Sequence, residues 1–255
     1  MGEMEILPME KVNLSNSVKA YLIKYIRGMD AKLGTKLPPE NEMAKNFSVS
    51  RVTIRRALDD LEKEGLILRI HGKGTFVNPD ALQIKTSLLP GGEFRQLIRD
   101  SGYEAKFEIQ RFEKLLSDGE VSRKLEIPLG TPYYLLEKLY FADQHPAIVS
   151  IDRVPCEYFN QDPDSAELNE LSIFHILKHK AGCIIKRDKI EIETMDLAKM
   201  KHYSSCSEKM ECSSVLCFHG INYDQNNRPV ILDTEFYNTD YIRFNMIRVK
   251  DVYKD

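Results

Sequence analysis

One stretch of this 255-residue chain constrains its fold more than any other, and it lies between residues 50 and 77. It opens with apolar side chains that recur at helical spacing: Ile54, Ala57, Leu58 and Leu61. Ser50 before them is a preferred helix N-cap residue, and Gly65 after them is a preferred helix-ending residue. The spacing therefore predicts one amphipathic helix over residues 51–64.

Two further helices precede this one, and a hairpin follows it. Apolar residues recurring at helical spacing between positions 18 and 29 predict the first helix, and the segment LPPENEMAKNF at residues 37–47 predicts a short second one. The segments LILRI and TFV read as strands around a glycine-rich tip, HGKG, at residues 71–74. Helix, helix, turn, helix and β-hairpin in this order predict a winged helix-turn-helix.

Charge is distributed unevenly along the chain. The formal net charge is -3, but the first 80 residues carry +2 and the remaining residues carry -5. Between residues 45 and 56 four side chains are basic and none is acidic: Lys45, Arg51, Arg55 and Arg56. Because the apolar stripe of the predicted helix must face the core, Arg55 and Arg56 point away from it. Ser50, Arg51 and Thr53 lie at its N-terminal end.

A helix with these outward side chains suits the major groove of DNA. Recognition helices enter the groove with the N-terminal end leading, and arginine can donate two hydrogen bonds to guanine. The hydroxyls of Ser50 and Thr53 can bind phosphates, and His71 and Lys73 at the hairpin tip can reach a phosphate or the minor groove. A solvated helix face and an ordinary Gly-Lys-Gly hairpin produce the same local patterns, so the prediction rests on both occurring in this order.

Residues 12–77 also resemble the N-terminal domain of the GntR family of bacterial transcription regulators. The resemblance rests on Leu-Pro-x-Glu, on Val-Ser-Arg-x-Thr-x-Arg-x-Ala-Leu and on Gly-Lys-Gly-Thr-Phe-Val. It implies DNA contacts from the helix, by Ser50, Arg51, Thr53 and Arg55, and a minor-groove wing formed by His71, Gly72 and Lys73. Asn41 stands where many members carry a DNA-contacting arginine, so a weaker contact is expected there.

The second half of the chain has a different pattern. Residues 78–91 lose periodicity and collect proline and glycine, which predicts a linker. Helical and strand-like segments then alternate, and the order recurs: Tyr140 and Pro146 return 83 positions later as Tyr223 and Pro229. We predict an internal repeat and an α+β domain on a mostly antiparallel sheet.

Residues 85–250 resemble the UTRA effector domain of HutC-type regulators, whose fold is similar to chorismate lyase. The resemblance rests on the segments EFRQLIRDSGY, LEIPLGTPYYLLEKLYFADQHP and NRPVILDTEFYNTDYIRF. It implies dimerisation and a small effector, often a sugar phosphate or an amino-acid metabolite. The residues at matching pocket positions are Phe94, Arg95, Lys138, Tyr140, Ser150, Ser172, Phe174, Ile231 and Tyr237.

Six of these positions differ from the members that bind amino-sugar phosphates. Lys138 and Tyr140 replace arginines, Ser150 and Ile231 replace glutamates, Phe174 replaces a tyrosine, and Arg95 replaces a small polar residue. We therefore expect an anionic effector with an apolar or aromatic body, contacted by Arg95, Lys138 and Ser172. The alternative is a neutral ligand, with Arg95 and Lys138 as surface charges.

Other chemistries have weaker support in the sequence. His175 and His179 lie four residues apart on a predicted helix, but local spacing places no third ligand beside them. The five cysteines include no CxxC pair and fit reduced thiols. Since no Ser-His-Asp order, nucleophile elbow or phosphate-binding glycine loop can be assigned, we expect no metal, no cofactor and no enzymatic activity.

These observations combine into one functional prediction. No stretch approaches the roughly 18 apolar residues of a membrane span, and the N-terminus does not resemble a signal peptide, so we expect a cytoplasmic protein without a membrane partner. Residues 1–77 form the DNA-binding domain, 78–91 the linker and 92–255 the effector-binding and dimerisation domain. We predict a homodimeric regulator, a repressor, that binds a palindromic operator under effector control. The alternative is a catalytic or metal-sensing protein that carries a winged helix.

Overall fold

A computed structural model of the chain describes residues 14–27, 35–78, 93–159 and 162–245. These residues fall into two compact units, with residues 14–78 and 245 in the first and residues 93–159 and 162–244 in the second. The predicted linker lies, after Asn78, outside the described residues. In the described ranges no helix is both long and apolar enough to cross a membrane.

The first unit is a winged helix-turn-helix, as the sequence predicts. Its elements in chain order are α1 (Leu14–Arg27), α2 (Glu40–Asn46), α3 (Arg51–Lys63), β1 (Ile67–Ile70) and β2 (Gly74–Val77). The predicted inner stripe of α3 is fully buried, together with residues from α1 and α2. The strands β1 and β2 pair antiparallel, with Ile67 opposite Val77. The hydrophobic core thus fixes which face of α3 is outward.

The apolar face of α1 is narrower than its spacing predicts. Val18, Leu22 and Ile26 are buried, but Tyr21 and Tyr25 are exposed. The ring of Tyr21 meets the edge of the Phe47 ring, 5.1 Å away between centroids. Tyrosine has an apolar ring and a polar hydroxyl, so helical spacing alone does not show whether it faces the core or the boundary with water.

The second unit is built on one antiparallel sheet with the strand order β3-β4-β5-β8-β7-β6. Its strands are β3 (Ala105–Leu116), β4 (Pro132–Ala142), β5 (His145–Pro155), β6 (Ile185–Asp196), β7 (Ser214–Asp224) and β8 (Pro229–Tyr237). Its helices are α4 (Phe94–Asp100), α5 (Gly119–Leu125), α6 (Ser165–Glu170), α7 (Ile173–Ala181) and α8 (Leu197–Met200). The predicted α+β class is confirmed.

The sheet contains the repeat that the sequence predicts. The order strand, helix, strand, strand occurs once as β3-α5-β4-β5 and again as β6-α8-β7-β8. The last strands of the two repeats, β5 and β8, pair antiparallel at the centre of the sheet. In this pairing Asp152 lies opposite Asp233, and Ser150 lies opposite Glu235. The repeat relates these two pairs to each other, because Asp152 is equivalent to Glu235 and Ser150 to Asp233, 83 residues apart.

Each face of the sheet carries its own hydrophobic cluster. One cluster includes Val121 and Leu125 of α5 and Met200 of α8. The other includes Leu168 of α6 and Ile176 and Leu177 of α7. Because successive side chains of a strand point to opposite faces, the residues of β4, β5 and β8 that face α6 and α7 alternate along each strand.

Candidate functional site

The N-terminal end of α3 presents the predicted DNA-contacting side chains. Ser50 is the N-cap: its hydroxyl oxygen accepts the backbone N–H of Thr53 at 3.1 Å, and the Ser50 and Thr53 hydroxyl oxygens lie 2.8 Å apart. Arg51, Arg55 and Arg56 are all exposed. The helix begins directly after this cap, and the three arginines lie within its first two turns. Their charges are therefore concentrated near its N-terminal end.

Arg55 is held by a carboxylate on the preceding helix. Its Nε and Nη2 atoms donate to Oε2 of Glu40, at 3.3 and 3.1 Å. The Arg55 side chain nonetheless remains 65% exposed. A guanidinium has five N–H donors, so three remain for another acceptor. Glu40 therefore orients Arg55 without consuming its capacity to bind. Asn41, the next residue of α2, is also exposed.

The hairpin tip is exposed and turned by glycine. His71, Gly72 and Lys73 all lie at the surface, and the backbone N–H of Lys73 donates to the carbonyl of Ile70 at 2.9 Å. Gly72 has a φ of 72°, a conformation that residues with a Cβ rarely adopt. The structure thus forms a short, cationic wing next to α3 in the same unit.

The sequence analysis missed two cationic residues that support the wing. Arg69 on β1 pairs with Asp59 of α3 at 2.5 Å and donates to the backbone carbonyl of Arg55 at 3.3 Å. Lys36 pairs with Phe76 through an isolated β-bridge and lies over its ring. Arg69 ties the wing to the recognition helix. A basic residue inside an apolar strand was the signal that could have indicated this role.

The predicted effector positions surround a cleft in the second unit. Its volume is about 400 Å³, including the space open to solvent, and five predicted residues line it: Phe94, Lys138, Tyr140, Ser172 and Phe174. Arg95 lines a smaller cavity of about 210 Å³ that shares Lys138 with the cleft. Ser150, Ile231 and Tyr237 are buried in the sheet and line neither space. Sequence matching thus located the cleft but not its whole lining.

Lys138 and Arg95 form a cationic end of this cleft. Lys138 is only 2% exposed, and its ammonium group donates to the carbonyls of Leu168 and Leu171 at 2.6 and 3.3 Å. Burial lowers its pKa to about 8. Arg95 donates to the carbonyl of Glu170 at 3.0 Å, and both cations lie over the Phe107 ring. Lys138 is therefore a buried group and not a surface charge.

Ser172 caps α7 and is already engaged at this end of the cleft. Its hydroxyl donates to Oε1 of Glu93 at 2.7 Å and accepts the backbone N–H of His175 at 3.4 Å. The predicted N-terminal hydroxyl is thus where the sequence placed it. A ligand that takes a hydrogen bond from Ser172 must compete with Glu93.

Three carboxylates in the cleft were missed by the sequence analysis. Asp152, Asp233 and Glu235 all line it, so its wall is more polar than the apolar lining expected for the effector body. They lie on β5 and β8, on the face that Lys138 and Tyr140 share across the sheet. The signal was present in the sequence, because Asp152 and Asp233 follow Ser150 and Ile231 by two positions and so share a strand face with them.

Comparison with known families accounts for most of the chain. The family described as "Bacterial regulatory proteins, gntR family" matches residues 14–77, and the UTRA domain matches residues 100–243. The UTRA match alone spans more than half of the chain. The chain belongs to the GntR family and carries a UTRA domain. It is therefore a DNA-binding transcription regulator with an effector-binding domain, and not an enzyme.

Relatives of this GntR–UTRA regulator are themselves regulators. This chain is 29% identical over 175 residues to the uncharacterized HTH-type transcriptional regulator YurK of Bacillus subtilis, and the match covers 66% of this chain and 71% of YurK. It is 27% identical over 198 residues to the probable fructoselysine utilization operon transcriptional repressor of Escherichia coli, covering 77% and 79%. The crystal structure of the possible regulator YydK of Bacillus subtilis has the same fold, with a TM-score of 0.70 and 18% identity over 92% of this chain and 99% of YydK.

The regulator also contains one group of side chains with the ligand types of a metal site. Cys217 Sγ lies 3.4 Å from His219 Nε2, which lies 3.1 Å from Oε1 of Glu193. Lys199 pairs with the other Glu193 oxygen at 3.2 Å, and burial raises the pKa of the Cys217 thiol to about 12. The group comes from two strands paired side by side, so sequence spacing did not bring it together. In a given tautomer His219 Nε2 either donates to Glu193 or accepts from Cys217, so it serves one of these two partners at a time.

Proposed function

We propose that this regulator is a transcriptional repressor that binds a palindromic operator as a homodimer, and that a small effector with an anionic group controls its affinity. The observation that carries the DNA-binding part is the cluster of exposed arginines at the N-terminal end of α3, beside an exposed cationic wing. Because its operator lies on the chromosome, we place the protein in the cytoplasm.

Direct readout of bases is assigned to Arg51, Arg55 and Arg56. An arginine at the leading end of a recognition helix can donate two hydrogen bonds to guanine. Ser50 and Thr53 bind phosphates, together with Asn41 on α2 and with His71 and Lys73 on the wing. Gly72 lies at an open position and has no Cβ, so the wing backbone can approach the minor groove closely there.

Repression and dimerisation are supported by the relatives and by the charge of the DNA-binding unit. The Escherichia coli relative is described as the probable repressor of a fructoselysine utilization operon, and another, MngR, as the repressor of mannosyl-D-glycerate transport and metabolism. The first 80 residues carry a net charge of only +2, which is modest for a DNA-binding domain. Two copies on one inverted repeat double the phosphate contacts that a single copy makes.

The anionic group of the effector is assigned to the cationic end of the cleft. Arg95 and Lys138 both lie beside the Phe107 ring, and burial together with the nearby Arg95 charge lowers the pKa of Lys138. A bound anion relieves that repulsion and accepts hydrogen bonds from both. An effector that binds one conformation of the dimer more tightly than the other shifts the dimer toward that conformation. The resulting change in operator affinity is limited by the difference between the effector's affinities for the two conformations.

Selection of DNA by the purified protein tests this proposal. Full-length protein is mixed with random duplexes, bound DNA is amplified over several rounds, and the enriched sequence is footprinted. We expect an inverted repeat whose half-sites are about one or more helical turns apart, and a dimer by light scattering in complex with it. Failure to enrich any sequence, or enrichment of a single half-site bound by one copy, contradicts the proposal.

A further inference from the structure

The acidic cluster of the cleft, Asp152, Asp233 and Glu235, is the strongest feature that the proposed function leaves unexplained. It lies at the centre of the sheet, where the two repeats meet: Asp152 faces Asp233 across the β5–β8 pairing. Asp152 and Glu235 stand at equivalent positions of the two repeats, 83 residues apart. The repeat therefore brings three carboxylates onto one side of the cleft.

These carboxylates are removed from water. Asp152 is 7% exposed and Asp233 is 5% exposed. Burial raises the pKa of Asp152 to about 6 and that of Glu235 to about 7, and burial beside Glu235 and Asp152 raises the pKa of Asp233 as well. Isolated carboxylates lose solvation on burial, and like charges at close range add repulsion. Without a ligand, these carboxyl groups therefore hold their protons more tightly than exposed ones do, and a cation placed beside them would favour their charged forms.

Within the described residues, Asp233 and Glu235 have hydrogen-bond partners, which include each other, whereas Asp152 has none. Asp233 accepts an N–H of Asn222 at 2.6 Å, and Glu235 accepts the hydroxyl of Tyr237. No described residue donates a hydrogen bond to Asp152 or forms an ion pair with it. Its side chain is more than nine-tenths buried and borders the cleft. Asp152 is thus an unused acceptor directed at the space that a ligand would occupy.

The nearby cations do not fill this role. Lys138 donates to two backbone carbonyls, Arg95 donates to a third, and Arg153 reaches Thr234 at 3.4 Å. Glu93 adds a fourth carboxylate at the rim of the same cleft. Carboxylates therefore outnumber the cations facing the cleft, and a cation from outside the protein is the complementary partner.

We propose that the acidic cluster binds a protonated amine of the effector, so that the effector is zwitterionic: its ammonium group donates to Asp152, beside Asp233 and Glu235, and its anionic group lies at Arg95 and Lys138. This inference rests on the proposed effector control. An ammonium group needs only one carboxylate for a charge-assisted hydrogen bond, whereas a metal ion needs several ligands around it, and Asp152 alone offers two oxygen atoms. Oxygen atoms of the three carboxylates do not all come within 4.8 Å of one another, which disfavours a single shared metal ion.

Matched compounds that differ only in an amine test this assignment. We would measure binding to full-length protein by calorimetry for three pairs: 6-aminohexanoate and hexanoate, putrescine and 1,4-butanediol, and glucosamine and glucose. In at least one pair the amine should bind at least tenfold more tightly than its amine-free counterpart. Asp152→Asn and Asp233→Asn should each abolish that preference. The control Glu191→Gln, an exposed carboxylate on β6, should keep it.

The outcomes separate this inference from the proposed function. No amine preference in any pair, or a preference that survives both variants, overturns the ammonium site. Binding of magnesium or calcium that is lost in both variants also overturns it, because the cluster is then a metal site. The same samples are assayed for operator binding: intact DNA binding with no amine preference rejects only the ammonium site, whereas wild-type protein that selects no operator rejects the proposed function.

Discussion

At the scale of single residues, the DNA-binding surface separates side chains that read bases from side chains that bind phosphates. Arg55 is oriented by Glu40 and keeps three donors, which suits a directional contact to a base edge. Lys73 lies at an exposed tip and forms no ion pair within the described residues, which suits a non-directional contact to phosphate. Replacing Arg55 and replacing Lys73 should therefore change DNA binding in different ways.

Lys73→Ala should reduce the salt dependence of DNA binding. Each lost phosphate contact lowers the slope of log affinity against log salt by about one, so a dimer with two wings should lose about two. Operator and random duplexes should be affected equally in fluorescence anisotropy titrations across a range of salt concentrations. Lys178→Ala, which removes an exposed lysine of α7, is the control and should leave the slope unchanged.

Asp152→Asn should stabilise the protein more at high pH than at low pH. Burial raises the pKa of Asp152 from 3.8 to about 6, so the folded state binds this proton more tightly than the unfolded state. The stability that proton binding by Asp152 gives the wild-type protein is fully present below its pKa in the unfolded state, 3.8. It is lost as the pH rises through about 6, the pKa in the folded state. The advantage of the variant should grow by about 1 kcal/mol between pH 5 and pH 8.

Urea unfolding at the two pH values measures this difference, with Glu191→Gln as the control for an exposed carboxylate. Lys138 and Arg153 attract the charge of Asp152, and Asp233 and Glu235 repel it. All four residues are left unchanged in the two proteins, so the difference between the proteins reports on Asp152. A variant that is less stable than wild type by the same amount at both pH values would show that Asp152 is not a strained buried charge.

At the scale of secondary structure, local spacing predicted the elements well and their contacts less well. The stripe of α3, its Ser50 cap and the glycine tip of the hairpin are set by residues near in sequence, and all three were predicted. The acidic cluster was missed because Asp152 and Asp233 are 81 residues apart and meet only through strand pairing. The short helix α6, Ser165–Glu170, was also missed, since six residues give too few repeats of a helical pattern.

A glycine on β7 makes room for the acidic cluster. A Cβ at Gly220 would clash with both carboxylate oxygens of Asp233, its partner across the β7–β8 pairing. Gly220→Ala should therefore destabilise the protein by about 1–3 kcal/mol, as overpacking does. Gly119→Ala is the matched control, because nothing lies within 4 Å of a Cβ there.

Chemical unfolding of the two alanine variants measures the effect. Adding Asp233→Ala to Gly220→Ala should recover much of the loss, because the clashing carboxylate is then gone. Equal stability of Gly220→Ala and Gly119→Ala would mean that Asp233 is free to move away, and that the strand is not shaped around it.

At the scale of the whole molecule, charge and function are divided between the two units. The net charge of -5 after residue 80 belongs to the part with the UTRA domain, whose acidic groups gather partly in the cleft. The DNA-binding unit has little excess charge, so its affinity should depend on the placement of Arg51, Arg55 and Lys73 and on pairing of two copies. Bulk electrostatic attraction contributes less here than in a strongly basic domain.

The central claim is that α3 reads the operator, and Arg55→Ala tests it most directly. Anisotropy titrations would compare wild type, Arg55→Ala and the control Arg123→Ala, an exposed arginine of α5, on the selected operator and on a random duplex. We predict that Arg55→Ala loses about 1–3 kcal/mol of operator affinity and much of the operator preference, with Arg123→Ala unchanged. Equal operator affinity of Arg55→Ala and wild type would contradict the account.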